Sequence, residues 1–208
     1  MPLHWFNRLG LSAAILMLPA LTLTERWQPP ATAQESSLSG QLLIAAADMF
    51  DPRFARTVIL MVRHDRNGAF GIIVNRPVGE RPWSALLHAI GDSATTVEGN
   101  VRIFYGGPVQ LDAGFVIHSP DYHRAETIDI GGMFAMTSNR DVIRDIATKQ
   151  GPAKSLIAFG YAGWAPGQLE GEIARRAWST APADTKTVFD EDRDKVWDDA
   201  TAHRTQDL

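Results

Sequence analysis

The sequence predicts a single α+β domain, a mixed sheet with a few helices packed on it, behind an N-terminal leader. Two observations carry the fold class. Hairpin signals dominate the early part of the domain, and a β-α-β-α run follows late, which together call for a mixed sheet carrying helices. The strands are continuous apolar runs rather than alternating ones, so they are buried on both faces. The chain of 208 residues is 45% hydrophobic and 21% charged, an ordinary globular composition.

Residues 1–33 read as the leader. Arg8 gives a short cationic start, and Leu9 to Leu23 runs without a charge. A polar stretch then ends in Ala31-Thr32-Ala33, a small-x-small cleavage site. The apolar run is shorter than the roughly 18 to 20 residues a membrane-crossing helix needs, which favours cleavage after Ala33 over a permanent anchor. The expectation is a protein of the periplasm or envelope, meeting a membrane only through an uncleaved leader. Residues 34–208 then form the domain.

Gln41-Leu-Leu-Ile-Ala-Ala46 is the first strand, broken by Asp51-Pro52. Residues 57–74 form an antiparallel hairpin around Asn67-Gly68, a pair that takes positive φ cheaply. Pro82 opens a short helix that buries Trp83, Leu86, Leu87 and Ile90, spaced i, i+3, i+4, i+7, and ends at Gly91. Strands are expected at 101–105, 114–118, 126–130 and 133–137. Ser138 or Asn139 caps a helix running to about Gln150, with Val142, Ile143 and Ile146 inward. Another strand covers 155–161. A helix follows Pro166 with Leu169, Ile173 and Ala177 inward and a Glu172–Arg176 pair facing water. From about 180 the chain reads as a polar, acidic tail with one short helix around Val196-Trp197.

Charge and composition exclude some functions. The formal net charge is −4, and cleavage after Ala33 removes Arg8, Arg26 and Glu25, leaving 18 basic and 23 acidic residues (18 − 23 = −5). Without a basic stripe, a phosphate-gripping surface is disfavoured, and nucleic acid with it. The absence of cysteine removes disulfides, thiolate metal sites and cysteine nucleophiles. No G-x-S-x-G elbow or phosphate-binding loop occurs. Gly106-Gly107-Pro108 reads as a tight turn.

Two groups of residues qualify as candidate sites. His118, Asp121 and His123 are imidazole and carboxylate ligands close in sequence, so a metal can be considered. Their spacing fits no ligand signature, and a solvated loop is the preferred reading. Asn75 and Arg76, held by Pro77 at the end of a buried strand, form half of the second group. Trp164 and Gln168, at a glycine-rich strand-to-helix junction, form the other half as candidate ligand-binding residues. His64, beside the Asn-Gly turn, is read as capping the hairpin. No catalytic residue and no cofactor follow from the sequence.

These segments carry a resemblance. Gly40-Gln-Leu-Leu-Ile-Ala45, His64-Asp65 with Gly68-Ala-Phe-Gly71, Asn75-Arg-Pro77, Tyr105-Gly-Gly-Pro-Val109, Gly114-Phe-Val-Ile-His-Ser119, Thr137-Ser138 and Gly160-Tyr-Ala-Gly-Trp-Ala-Pro-Gly-Gln-Leu-Glu170 resemble the YqgE/AlgH family in this order. The resemblance implies a partly barrel-like sheet and brings no catalytic residues. Members are sometimes labelled transcriptional regulators and look cytoplasmic, whereas this chain carries an exported-looking leader. It also reads Ala46-Ala47 where members commonly have proline. The expectation is a non-catalytic binding, interaction or regulatory domain with an unidentified protein or small-molecule partner. The alternatives are an enzyme, with metal-assisted hydrolysis the version His118, Asp121 and His123 would serve, and the regulator of the family label.

Overall fold

Each unbroken apolar run feeds two cores, one from each face of its strand. The computed structural model describes residues 37–93, 95–190 and 192–205; the leader expected at 1–33 lies outside them. In β1 (Gln41–Ala45), Leu42 and Ile44 enter one core while Leu43 and Ala45 enter another. The same division holds in β2 (Val58–Asp65), where Leu60 faces one way and Ile59 and Met61 the other. A pleated strand puts alternate side chains on opposite faces, so burial on both requires an unbroken run.

β2 and β3 (Gly68–Ile73) form the antiparallel hairpin that the Asn67-Gly68 pair predicts, with Asp65 opposite Gly68. β4 (Pro77–Pro82) follows and leads straight into α1 (Trp83–Ala89). Then come β5 (Asn100–Tyr105), β6 (Val109–His118), β7 (Thr127–Ile130) and β8 (Phe134–Thr137). α2 (Asp141–Ala147) is shorter than expected; Asn139 Oδ1 accepts the Asp141 N–H at 2.9 Å. β9 (Ser155–Trp164), α3 (Gln168–Ala174), β10 (Trp178–Pro182), a π-helical turn (Lys186–Asp190) and α4 (Val196–Ala202) complete the order.

The sheet runs β10-β1-β2-β3-β9-β6-β8-β7, with β4 and β5 set off this path. β9 organises it: its first half pairs with β5 and β6, its second half with β3. Only the β5–β9 pairing is parallel among the described strands, and it makes the sheet mixed. The sheet curls into a half-barrel, bringing Gly40, just before β1, against Ile130 and Gly131 at the far end of the path.

Three cores result. One fills the curl and includes Val196, Trp197 and Ala200 of α4. A second lies under α3 and residues 46–56, and a third under α1 and α2. Each buried Leu or Ile contributes about 1.5–3 kcal/mol of transfer free energy.

The structure adds one strand and corrects two expectations. Residues 77–82 form a fully exposed strand on the edge of β5. The segment from Thr180 is no tail: β10 pairs with β1 along its whole length, and the Trp197 indole donates to the Ala45 carbonyl at 2.9 Å. Gly106-Gly107 is more than a turn, because it lies against the β9 backbone. A Cβ on Gly107 would fall 2.1 Å from the Tyr161 carbonyl carbon and one on Gly106 2.2 Å from the Gly160 oxygen. Only glycine permits that approach. No helix among the described residues is long and apolar enough to cross a membrane.

Candidate functional site

β9 ends at Trp164, and the chain turns through Gly167, at φ +75°, into α3. Gln168 closes the turn: its Oε1 accepts the Ala165 N–H at 3.1 Å, and its Nε2 donates to Glu172 Oε1 at 3.0 Å. The other Glu172 oxygen accepts both indole N–H groups, from Trp164 at 2.9 Å and from Trp178 at 2.8 Å. The two indoles meet edge to face at 5.9 Å, and Phe54 packs edge-on against Trp178 at 5.5 Å. One carboxylate thus ties the end of β9, the first turns of α3 and the start of β10 together. The expected Glu172–Arg176 pair is not made. Arg176 lies beyond the end of α3 at φ +60°, so helical i, i+4 geometry does not reach it.

Beside this cluster a groove of about 590 Å³ opens between α3 and residues 49–54, with Val109 on its far rim. Trp164 and Trp178 are only 7% and 3% exposed, so they form its floor rather than a free stacking platform. The surface open to a ligand comes from the rim, where Phe50 is fully exposed and Val109 37% exposed. Arg175 lines the groove with no ion pair among the described residues. Arg53, by contrast, is held by Asp51 at 2.7 Å, and its hydrogen bonds keep the Asp51 carboxyl below the usual range.

Of the four candidate ligand-binding residues, only Trp164 and Gln168 line the groove. Asn75 and Arg76 stand behind it as clamps. Asn75 accepts the Val58 N–H and donates to the Arg56 carbonyl, both at 2.9 Å. Arg76 donates to the Arg53 carbonyl at 2.6 Å and the Ala55 carbonyl at 2.9 Å. The amide and guanidinium hold the rim loop through the carbonyls of Arg53, Ala55 and Arg56. Trp178 and Phe54 escaped the sequence reading, which placed Glu172 on the water-facing side of its helix. Glu172 was visible as the residue one turn after Gln168 on the same helix face.

His118, Asp121 and His123 do not converge, and no group of three His, Cys, Asp or Glu side chains able to hold a metal occurs among the described residues. His118 is fully buried with both nitrogens engaged. Its Nδ1–H donates to the Ser119 carbonyl at 2.8 Å, so its Nε2 accepts the Thr137 hydroxyl at 2.9 Å. Thr137 in turn accepts from Thr127 at 2.6 Å. Burial pushes the His118 pKa down. Asp121 is taken by the Ser119 hydroxyl at 2.5 Å and the Ala153 N–H at 3.0 Å, and His123 is exposed.

His64 does more than cap a hairpin. Its Nδ1 accepts the Leu38 N–H at 3.2 Å, and its Nε2–H donates to Glu170 at 2.8 Å. Glu170's own backbone N–H and His64 hold that carboxyl below its ordinary value. Glu170 and Glu172, two residues apart, lie on different faces of α3, so this pair stays out of the groove.

A family model described as AlgH-like matches residues 42–208, which is all of the sheet but the start of β1. The chain belongs to the AlgH-like family. A UPF0301 protein of Methylococcus capsulatus is 45% identical over 165 residues, spanning 79% of this chain and 90% of the relative. A UPF0301 protein of Cereibacter sphaeroides is 40% identical over 167 residues, 80% of this chain and 91% of its own length. The solution structure of the AlgH protein from Pseudomonas aeruginosa superposes with a TM-score of 0.71 at 39% identity, covering 81% of this chain and 89% of that one. A crystal structure of a Corynebacterium diphtheriae protein shares the fold at a TM-score of 0.61 and 23% identity, over 77% and 84% of the two chains.

Proposed function

We propose that this member of the AlgH-like family is a non-catalytic binding domain that takes an apolar or aromatic side chain of a protein partner in the Phe50–Val109 groove. The observation that carries this reading is the pairing of an exposed apolar rim with a polar floor whose groups satisfy one another. Glu172 accepts three N–H donors, leaving its lone pairs poorly placed to take a proton from a ligand. The rim offers large apolar surface that water contacts at a cost, with Arg175 as a free cation for a carboxylate alongside. The leader read at residues 1–33 supports a place in the periplasm or at the envelope, with which the absence of cysteine is compatible.

The test is capture of displayed peptides by the full chain, followed by titration of the selected sequences. Saturable binding to peptides with an aromatic or branched aliphatic anchor is expected, falling at least tenfold in Phe50→Asp, a surface change that leaves the fold intact. Turnover in a hydrolase substrate panel, or specific DNA retention in a gel-shift assay, would overturn it in favour of an enzyme or a regulator. For localisation, a C-terminal reporter that works only outside the cytoplasm should be active.

A further inference from the structure

A second cavity, about 360 Å³, lies at the other end of β9, between the helices α1 and α2 and the sheet. Its body is apolar: Leu86 and Ile90 from α1, Val142 and Ile143 from α2, and Phe115 and Phe159 from the strands beneath. Its polar lining is confined to two stretches. Ser138, Asn139 and Arg140 follow one another between β8 and α2, and Asp112 stands in β6. The Asn139 carbonyl oxygen is committed to the Asp141 N–H, which leaves its NH₂ as a donor. Neither Arg140 nor Asp112 has an ion pair among the described residues. The lining therefore presents a hydroxyl, an amide NH₂ and a guanidinium from one turn, against a single acceptor carboxylate.

We propose that this cavity binds a compact amphipathic monocarboxylate, its apolar body among Leu86, Val142 and Ile143 and its carboxylate at Arg140. The volume sits at the small end of the roughly 300–1,000 Å³ that small-molecule sites occupy, which selects a short or compact body over a long acyl chain. An apolar interior with a few polar groups converging at its mouth is the arrangement such sites use. Guanidinium is the side chain best shaped to take a carboxylate by two parallel N–H bonds. Asp112, in the same lining, works against the same ligand and lowers its affinity. The site is separate from the groove at Phe50 and stands whether or not a partner binds there.

The probes are octanoate, octan-1-ol and octylamine, titrated into the ¹⁵N-labelled full chain and read from amide shifts in α1 and α2. Octanoate should saturate at one equivalent per chain and bind more tightly than octylamine. Arg140→Gln should weaken octanoate about tenfold and leave octanol unchanged, while Asp112→Asn should tighten octanoate several-fold. Ala89→Trp, at an exposed α1 position on the cavity edge, should block all three ligands without altering the fold. Failure of octanoate to saturate, equal binding of octylamine, or unchanged binding in a folded Ala89→Trp variant would each overturn the proposal.

Discussion

His64 and His118 both lie at or next to the end of a strand, yet their rings carry the proton on opposite nitrogens. His64 accepts a backbone N–H at Nδ1 and donates from Nε2 to a carboxylate. His118 donates from Nδ1 to a carbonyl and accepts a hydroxyl at Nε2. The partners decide what each ring tolerates. At His64 a carboxylate that is itself one-third exposed accepts the ring N–H. At His118 the ring is closed in by the Tyr122 edge at 5.4 Å and by a chain of threonine hydroxyls. The nearest charged groups are Asp121, which favours the imidazolium, and His123, which opposes it; desolvation outweighs both. One histidine bridges a backbone N–H and a carboxylate at the rim of a core; the other belongs to a network of hydroxyls and a carbonyl within one.

The largest effect should come from deleting each ring in turn. His118→Ala leaves a cavity, a Ser119 carbonyl without its donor and a Thr137 O–H without its acceptor, and should cost about 3–4 kcal/mol. His64→Ala frees groups that water can reach and should cost about 1 kcal/mol. Urea unfolding of both variants at pH 7.5 measures the ratio. Equal losses would break the contrast. His118→Gln can still donate to the carbonyl and accept the hydroxyl, so it should recover part of the loss.

That contrast was only half legible in the chain. The 57–74 hairpin and the helix after Pro82 could be read locally, because Asn67-Gly68 and the spacing of Trp83, Leu86, Leu87 and Ile90 encode them within a few residues. β4 and β10 could not. Pro77-Val-Gly-Glu-Arg-Pro82 is exposed throughout and carries two prolines, and it is a strand because β5 offers it an edge. Trp178 to Pro182 extends because β1 lies beside it. The candidate site divides in the same way. Trp164 and Gln168 sit on the groove as a local reading suggests. Asn75 and Arg76 turn to the carbonyls of a loop some twenty residues away, a partner no local pattern specifies. Glu172 shows the failure most clearly. The i, i+4 rule offers it Arg176, but tertiary structure delivers two indole N–H groups, one from each flanking strand.

The second effect is a pH slope that belongs to His118. Its folded pKa is lowered by burial, so between that value and the unfolded value near 6.5 the unfolded chain binds more protons than the folded one. Stability is therefore fully present above about pH 6.5–7 and is lost as pH falls below it. Denaturant midpoints measured from pH 8 to pH 5 should decline in the wild type and stay flatter in His118→Gln, whose amide does not titrate. A slope that persists unchanged in the glutamine variant would place its origin elsewhere.

The smallest effect should come from the carboxylate at His64. Glu170 has its pKa lowered by its own backbone N–H and by His64, so it contributes stability above its unfolded value near 4.3 and loses it as pH falls below that. Glu170→Gln keeps an oxygen to accept the His64 Nε2–H but removes the charge. With the carboxylate one-third exposed, solvent screening should hold the cost below about 1 kcal/mol at pH 7. The difference between wild type and variant should shrink as pH falls below about 4.3 and through the lowered value of the folded carboxyl. Its window thus lies some two pH units below that of His118, and one series of urea midpoints resolves both. If Glu170→Gln instead removed the decline between pH 7 and pH 5, that decline would not belong to His118, and the assignment of the neutral role to His118 would fail.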